Sequence, residues 1–253
     1  MKAPVFARPP NVISFTSRYD FERQLERAGV SLQEWEEEKR EKLWNEIGEH
    51  DAVYYLRDNP FLNSSIQQPV RFVLAVSVRI QLEHPQHGPM VLIEYARNHD
   101  VWFPRRHESS SVSEKIHLHP NGIRAETLQE TILRCYTAEL GLHTISSEEM
   151  SDEWLRFWPN KQSTEEPQYA VMDSVLVGGK YVEKEFKSGR GYKYYPLPTH
   201  IQVAHYLHTL PSHHYWDGWR KDEDTRYSSR WIRRGESRGL DPIPAGKLDE
   251  ALA

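Results

Sequence analysis

The run Pro69-Val70-Arg71-Phe72-Val73-Leu74-Ala75-Val76-Ser77-Val78-Arg79-Ile80-Gln81 decides how the rest of the chain is read. Val70, Phe72, Leu74, Val76, Val78 and Ile80 take every second position. Side chains of a strand alternate between faces, so this spacing predicts one long strand with a continuous apolar face. His84-Pro85-Gln86-His87-Gly88-Pro89 reads as a turn, and Met90 to Tyr95 as the returning strand of an antiparallel hairpin. Asn98-His99-Asp100 turns into a further strand, Val101-Trp102-Phe103-Pro104. After a polar loop, Ile116-His117-Leu118-His119-Pro120 reads as another short strand.

On the N-terminal side, residues 1–17 are proline-rich and extended. Phe21, Leu25 and Ala28 recur at helical spacing and Gly29 stops that helix. Ser31 and Glu34 have capping-box spacing for a second helix, in which Leu32, Trp35, Leu43, Trp44 and Ile47 form an apolar stripe on a charged surface. On the C-terminal side, Leu128, Ile132, Tyr136 and Leu140 predict a helix ending at Gly141. Tyr169–Val177, Tyr181–Phe186 and Tyr192–Tyr195 read as strands and Thr199–Thr209 as a helix capped by Thr199. Residues from Trp216 onward read as a tail wrapping the domain through Trp216, Trp219 and Trp231. This order predicts an α+β fold around a mixed sheet. Its parts are an N-terminal extension and helical brace at 1–50, a central domain at 51–215 and a wrapping tail at 216–253.

Composition narrows the function. The 253 residues are 38% hydrophobic, and the longest apolar run, Phe72 to Val76, is far short of the ~20 residues of a spanning helix. The N-terminus carries no apolar targeting core. The single cysteine, Cys135, excludes an intrachain disulfide and cysteine-based zinc sites. A cytoplasmic protein with no membrane partner is expected. The formal charge of −5, with seven acids against three bases in residues 31–50, argues against a nucleic-acid binder.

The segment Glu126-Thr127-Leu128-Gln129-Glu130-Thr131-Ile132-Leu133-Arg134-Cys135-Tyr136-Thr137-Ala138-Glu139-Leu140-Gly141-Leu142 resembles the Nudix box. Glu126 falls on the leading glutamate, Arg134 on the arginine, Tyr136 on the apolar position, Glu139 on the last glutamate and Gly141-Leu142 on the closing pair. Val101-Trp102-Phe103-Pro104 looks like the strand that comes before the box in that family. The segment departs where Cys135 and Ala138 stand in place of glutamates. The resemblance implies a Nudix-like α/β/α sandwich and hydrolysis of a phosphoanhydride, either a nucleoside diphosphate derivative or an organic diphosphate. It also implies Mg²⁺ or Mn²⁺ on Glu139 and Glu126, with Arg134 orienting a carboxylate. Carboxylates on one helix face suit such hard cations; a thiol at Cys135 does not.

His117 and His119, two apart on the expected strand, are candidates for acid/base work, as is Cys135. Arg105, Trp102 and Tyr192 are the candidate substrate-binding residues. Two other readings stand beside the hydrolase. One is a metal-independent enzyme of the same fold using His117, His119 or Cys135 on a small organic molecule. The other is a non-catalytic binding protein whose acidic N-terminal helices and tryptophan-bearing tail meet a partner. The sequence leaves substrate and oligomeric state open.

Overall fold

A computed structural model describes residues 6–58, 67–98, 101–104, 112–143, 145, 155–157, 171–176, 180–186, 189–195, 197–221, 227–233 and 243–244. In chain order the elements are β1 (Val12–Ile13), α1 (Arg18–Arg27), α2 (Glu37–Gly48), β2 (Val53–Asp58), β3 (Gln67–His84), β4 (Gly88–Asn98), β5 (Val101–Pro104) and β6 (Val112–Ile116). They continue with α3 (Leu128–Leu140), β7 (Leu155–Phe157), β8 (Val171–Leu176), β9 (Lys180–Phe186), β10 (Gly189–Tyr195), β11 (Thr199–Leu210), β12 (Trp219–Lys221), β13 (Tyr227–Arg233) and β14 (Ile243–Pro244). The protein is mixed α+β, with a large, mainly antiparallel sheet and few helices among the described residues.

The long strand β3 organises the sheet. On one edge it pairs in parallel with β11 from Arg71↔Thr199 to Leu82↔Leu210. On the other it pairs antiparallel with β2, then β6, then β4. Residues assigned to the N-terminal extension supply β1, which pairs with β2, and residues of the tail supply β13, which pairs with β4. The hairpin β9–β10 stands apart from this sheet.

Adjacent tyrosines on β2 sort the two faces. Tyr55 joins the apolar row of β3 and Leu128, Ile132 and Tyr136 of α3 in the main core. Tyr54 joins Phe21, Leu25, Leu32 and Trp35 in a second cluster that also takes Leu43, Trp44 and Ile47, the stripe expected to brace a neighbour. Each fully buried side chain of this size contributes about 1.5–3 kcal/mol.

Three local expectations are corrected. Thr199–Thr209 is not a helix but strand β11. Its even-numbered positions from Gln202 to Leu210 are buried, and Ile201, Val203, Leu207 and Thr209 are half-buried, a strand period. The β-branched Thr199, Ile201 and Val203 favour that state. The second helix does not begin at Ser31: a short 3-10 turn spans Leu32–Glu34, Ser31 makes no capping bond, and the α-helix starts at Glu37. Finally, β6 ends at Ile116, and Leu118 makes only an isolated bridge to Arg124.

A candidate acid/base site at the edge of the sheet

The helix carrying the box-like segment is built as its sequence dictates. Thr127 caps the first turn of α3 in a reciprocal capping box with Glu130. Gly141 closes it in the left-handed conformation, at φ 63°. Between β6 and α3 the chain folds back on itself: His119 N–H donates to Ile123 O at 2.7 Å and Ala125 N–H to His117 O at 2.8 Å. This return brings Glu126 beside His117, whose own backbone N–H donates to Glu126 Oε1 at 2.6 Å.

A continuous series of charged side chains then runs past β6, from α2 on one face of the sheet to α3 on the other. Arg71 meets Glu46 at 2.6 Å. Lys115 Nζ bridges Glu46 at 3.0 Å and Asp51 at 2.8 Å. The His117 ring lies between two carboxylates, with Nε2 3.7 Å from Asp51 Oδ1 and Nδ1 3.7 Å from Glu126 Oε2. Arg134 closes the series on Glu126 at 2.8 Å and Glu114 at 3.0 Å, and donates to Lys115 O at 2.6 Å. Burial works against the charge of Arg134, but the hydrogen bond to Glu126 and the charges of Glu114 and Glu126 outweigh it and raise its pKa. The series is buried at Glu46, 8% exposed, and most open at His117, 37% exposed.

The inner face of α3 carries a neutral pair. Tyr136 and His208 of β11 are both fully buried, stacked nearly parallel and hydrogen-bonded through Oη and Nδ1. Burial, then the neighbouring His214, pushes the His208 pKa down to about 4. Burial, then Cys135, pushes that of Tyr136 up. His208 is therefore neutral and Tyr136 protonated, so the phenol donates and Nδ1 accepts.

Of the residues singled out in the sequence, the structure brings together Glu126, Arg134 and His117. His119 is exposed, and its backbone is hydrogen-bonded within its loop to Gly122 and Ile123. Cys135 is fully buried in the main core. The backbone of Glu139 lies on α3, that of Trp102 on β5 and that of Tyr192 on β10, but their side chains, and Arg105 altogether, lie outside the described residues. Sequence reasoning missed Glu46, Asp51, Arg71, Glu114 and Lys115, which lie far apart in the chain and carry no motif.

Of the two carboxylates expected to hold Mg²⁺ or Mn²⁺, the side chain of Glu126 is described and that of Glu139 is not. Glu126 is held by Arg134 and a backbone N–H, and position 135 offers a core thiol. Among the described residues no three His, Cys, Asp or Glu side chains are grouped to hold a metal. No described helix is long and apolar enough to cross a membrane. No family model matches the chain, and no curated protein matches it either.

Proposed function

We propose that the protein is a metal-independent enzyme on a Nudix-like α/β/α sandwich, in which His117 acts as general acid and base on a small organic molecule. The observation that carries this reading is the placement of His117: half open to solvent, with a carboxylate facing each ring nitrogen. A carboxylate beside an imidazole holds the ring in place for proton transfer. At 3.7 Å both contacts are longer than hydrogen bonds, so the ring can turn a nitrogen toward substrate without breaking one. Arg134 is a positioning residue: it holds Glu126 through Oε1 and leaves Oε2 facing the His117 ring. The box-like features of α3, its Glu126–Arg134 pair and its left-handed Gly141, support the fold part of the proposal.

The test is a turnover screen over carboxylic esters, nucleoside diphosphate derivatives and organic diphosphates in excess EDTA. General acid/base catalysis is worth about 10²–10⁴-fold. Turnover should persist in EDTA and fall by at least about 100-fold in His117→Gln. Turnover that EDTA abolishes and Mg²⁺ or Mn²⁺ restores would instead favour the phosphoanhydride hydrolase, with Glu139 as its ligand. A chain that turns over none of these substrates would favour the binding-protein reading.

A further inference from the structure

The described chain begins with Phe6-Ala7-Arg8-Pro9-Pro10, which lies across the sheet as a bound peptide would. Phe6 packs against the main core. Ala7 N–H donates to Gln202 Oε1 at 2.9 Å. Arg8 Nε donates to Asn121 O at 3.3 Å. Pro9 is buried against Gly122, where a Cβ would stand 2.7 Å from the proline Cγ. Successive residues thus make an apolar, a backbone, a charged and a ring contact, each with a different receptor group. Asn11, at φ 49°, then turns the chain away into β1.

The receptor side is built for such a guest. Gln202 is 1% exposed on the inward face of β11, between His200 and the core residue Ala204. Behind it, Gln202 Nε2 lies 3.4 Å from His200 Nε2, and His200 Nδ1 lies 3.2 Å from Tyr55 Oη, so a polar line holds the amide in place. A buried glutamine costs free energy unless its hydrogen bonds are made, and here the guest's amide supplies one. Gly122, in the left-handed region at φ 78°, provides the flat spot that receives the proline ring. Proline pairs lose little entropy on docking because their extended form is preset.

We propose that this groove recognises proline-rich peptides of a partner protein with the pattern aromatic, small, Arg, Pro, Pro, and that the chain's own Phe6–Pro10 segment occupies it in cis. A tethered guest acts at an effective concentration on the order of millimolar, so a partner's peptide binds appreciably only when the tethered segment is displaced.

The experiment uses the full-length chain and a fluorescein-labelled nonapeptide covering Pro4 to Val12, read by fluorescence anisotropy. The variant Phe6→Ala/Ala7→Pro removes the apolar anchor and the donated N–H of the tethered segment. The variant is expected to bind the peptide at least tenfold more tightly than the unaltered chain. That gain should vanish for a peptide N-methylated at the position of Ala7 or carrying alanine for Pro9, neither of which alters the protein. Should the double variant lose its cooperative melt, Arg8→Ala, on an exposed side chain, is the milder release and should tighten binding severalfold. Equal affinity of released and unaltered chains, or indifference to N-methylation, would overturn the proposal. So would concentration-dependent dimerisation without binding of the free peptide, which would mean that copies exchange their own segments.

Discussion

The two sides of α3 solve the same problem in opposite ways. On the side toward β6, Arg134, Glu126, His117 and Lys115 stand in series beside groups of opposite character and stay partly exposed. On the side toward β11, Tyr136 and His208 are hydrogen-bonded to each other as neutral groups in the buried core. Charge that remains accessible can be lent to a substrate; a neutral buried pair can only hold the structure. The chemistry of this helix is therefore expected at its edge, and its pH sensitivity of folding at its centre.

The largest effect should come from the one place where the charged series is itself buried. Glu46 holds both Arg71 and Lys115, and removing one partner of a buried ion pair strands the other. Glu46→Ala should lower the unfolding free energy by about 3 kcal/mol in denaturant titrations. Acid should bring a loss of similar size on the other side of α3. Because the folded His208 pKa lies below that of the unfolded chain, its contribution is complete above about pH 6.5 and is lost as pH falls toward 4. That amounts to about 3 kcal/mol by the shift alone. The double variant Tyr136→Phe/His208→Leu should remove that pH dependence at little cost near neutrality, since both polar partners go together.

Smaller changes sharpen the contrast. Tyr136→Phe alone should cost about 1 kcal/mol, insensitive to salt. Arg134→Met should cost a similar amount in low salt and distinctly less in 1 M NaCl, where partly exposed pairs are screened. His117→Gln, at the open position, should move stability by less than about 0.5 kcal/mol. A larger loss would make His117 a structural member of the series and would break the division between the two sides.

What could be read in the sequence follows the same physics. The alternation of β3 was plain because its core face is purely apolar, and the stops of α1 and α3 because Gly29 and Gly141 stand where left-handed ends are needed. The strand β11 was misread because its inward row includes His200, Gln202 and His208, polar residues whose partners Tyr55, Ala7 and Tyr136 are distant in the chain. Periodicity counts apolar residues and cannot see a satisfied buried polar one. The candidate site was legible only in part. Glu126 and Arg134 stood at spaced positions in one segment, whereas Asp51 and Lys115, which set the surroundings of His117, come together through the pairing of β2 and β6 with β3. The docking of Phe6–Pro10 left no local signal beyond its prolines.

In the proposed function, the chemistry at this edge belongs to His117 and its carboxylates and not to a bound ion. Titration of the full-length chain with Mn²⁺, followed by the loss of the free-ion electron paramagnetic resonance signal, tests it most directly. No stoichiometric uptake is expected at submillimolar Mn²⁺. One ion bound per chain, and released in Glu126→Gln or Glu139→Gln, would contradict it.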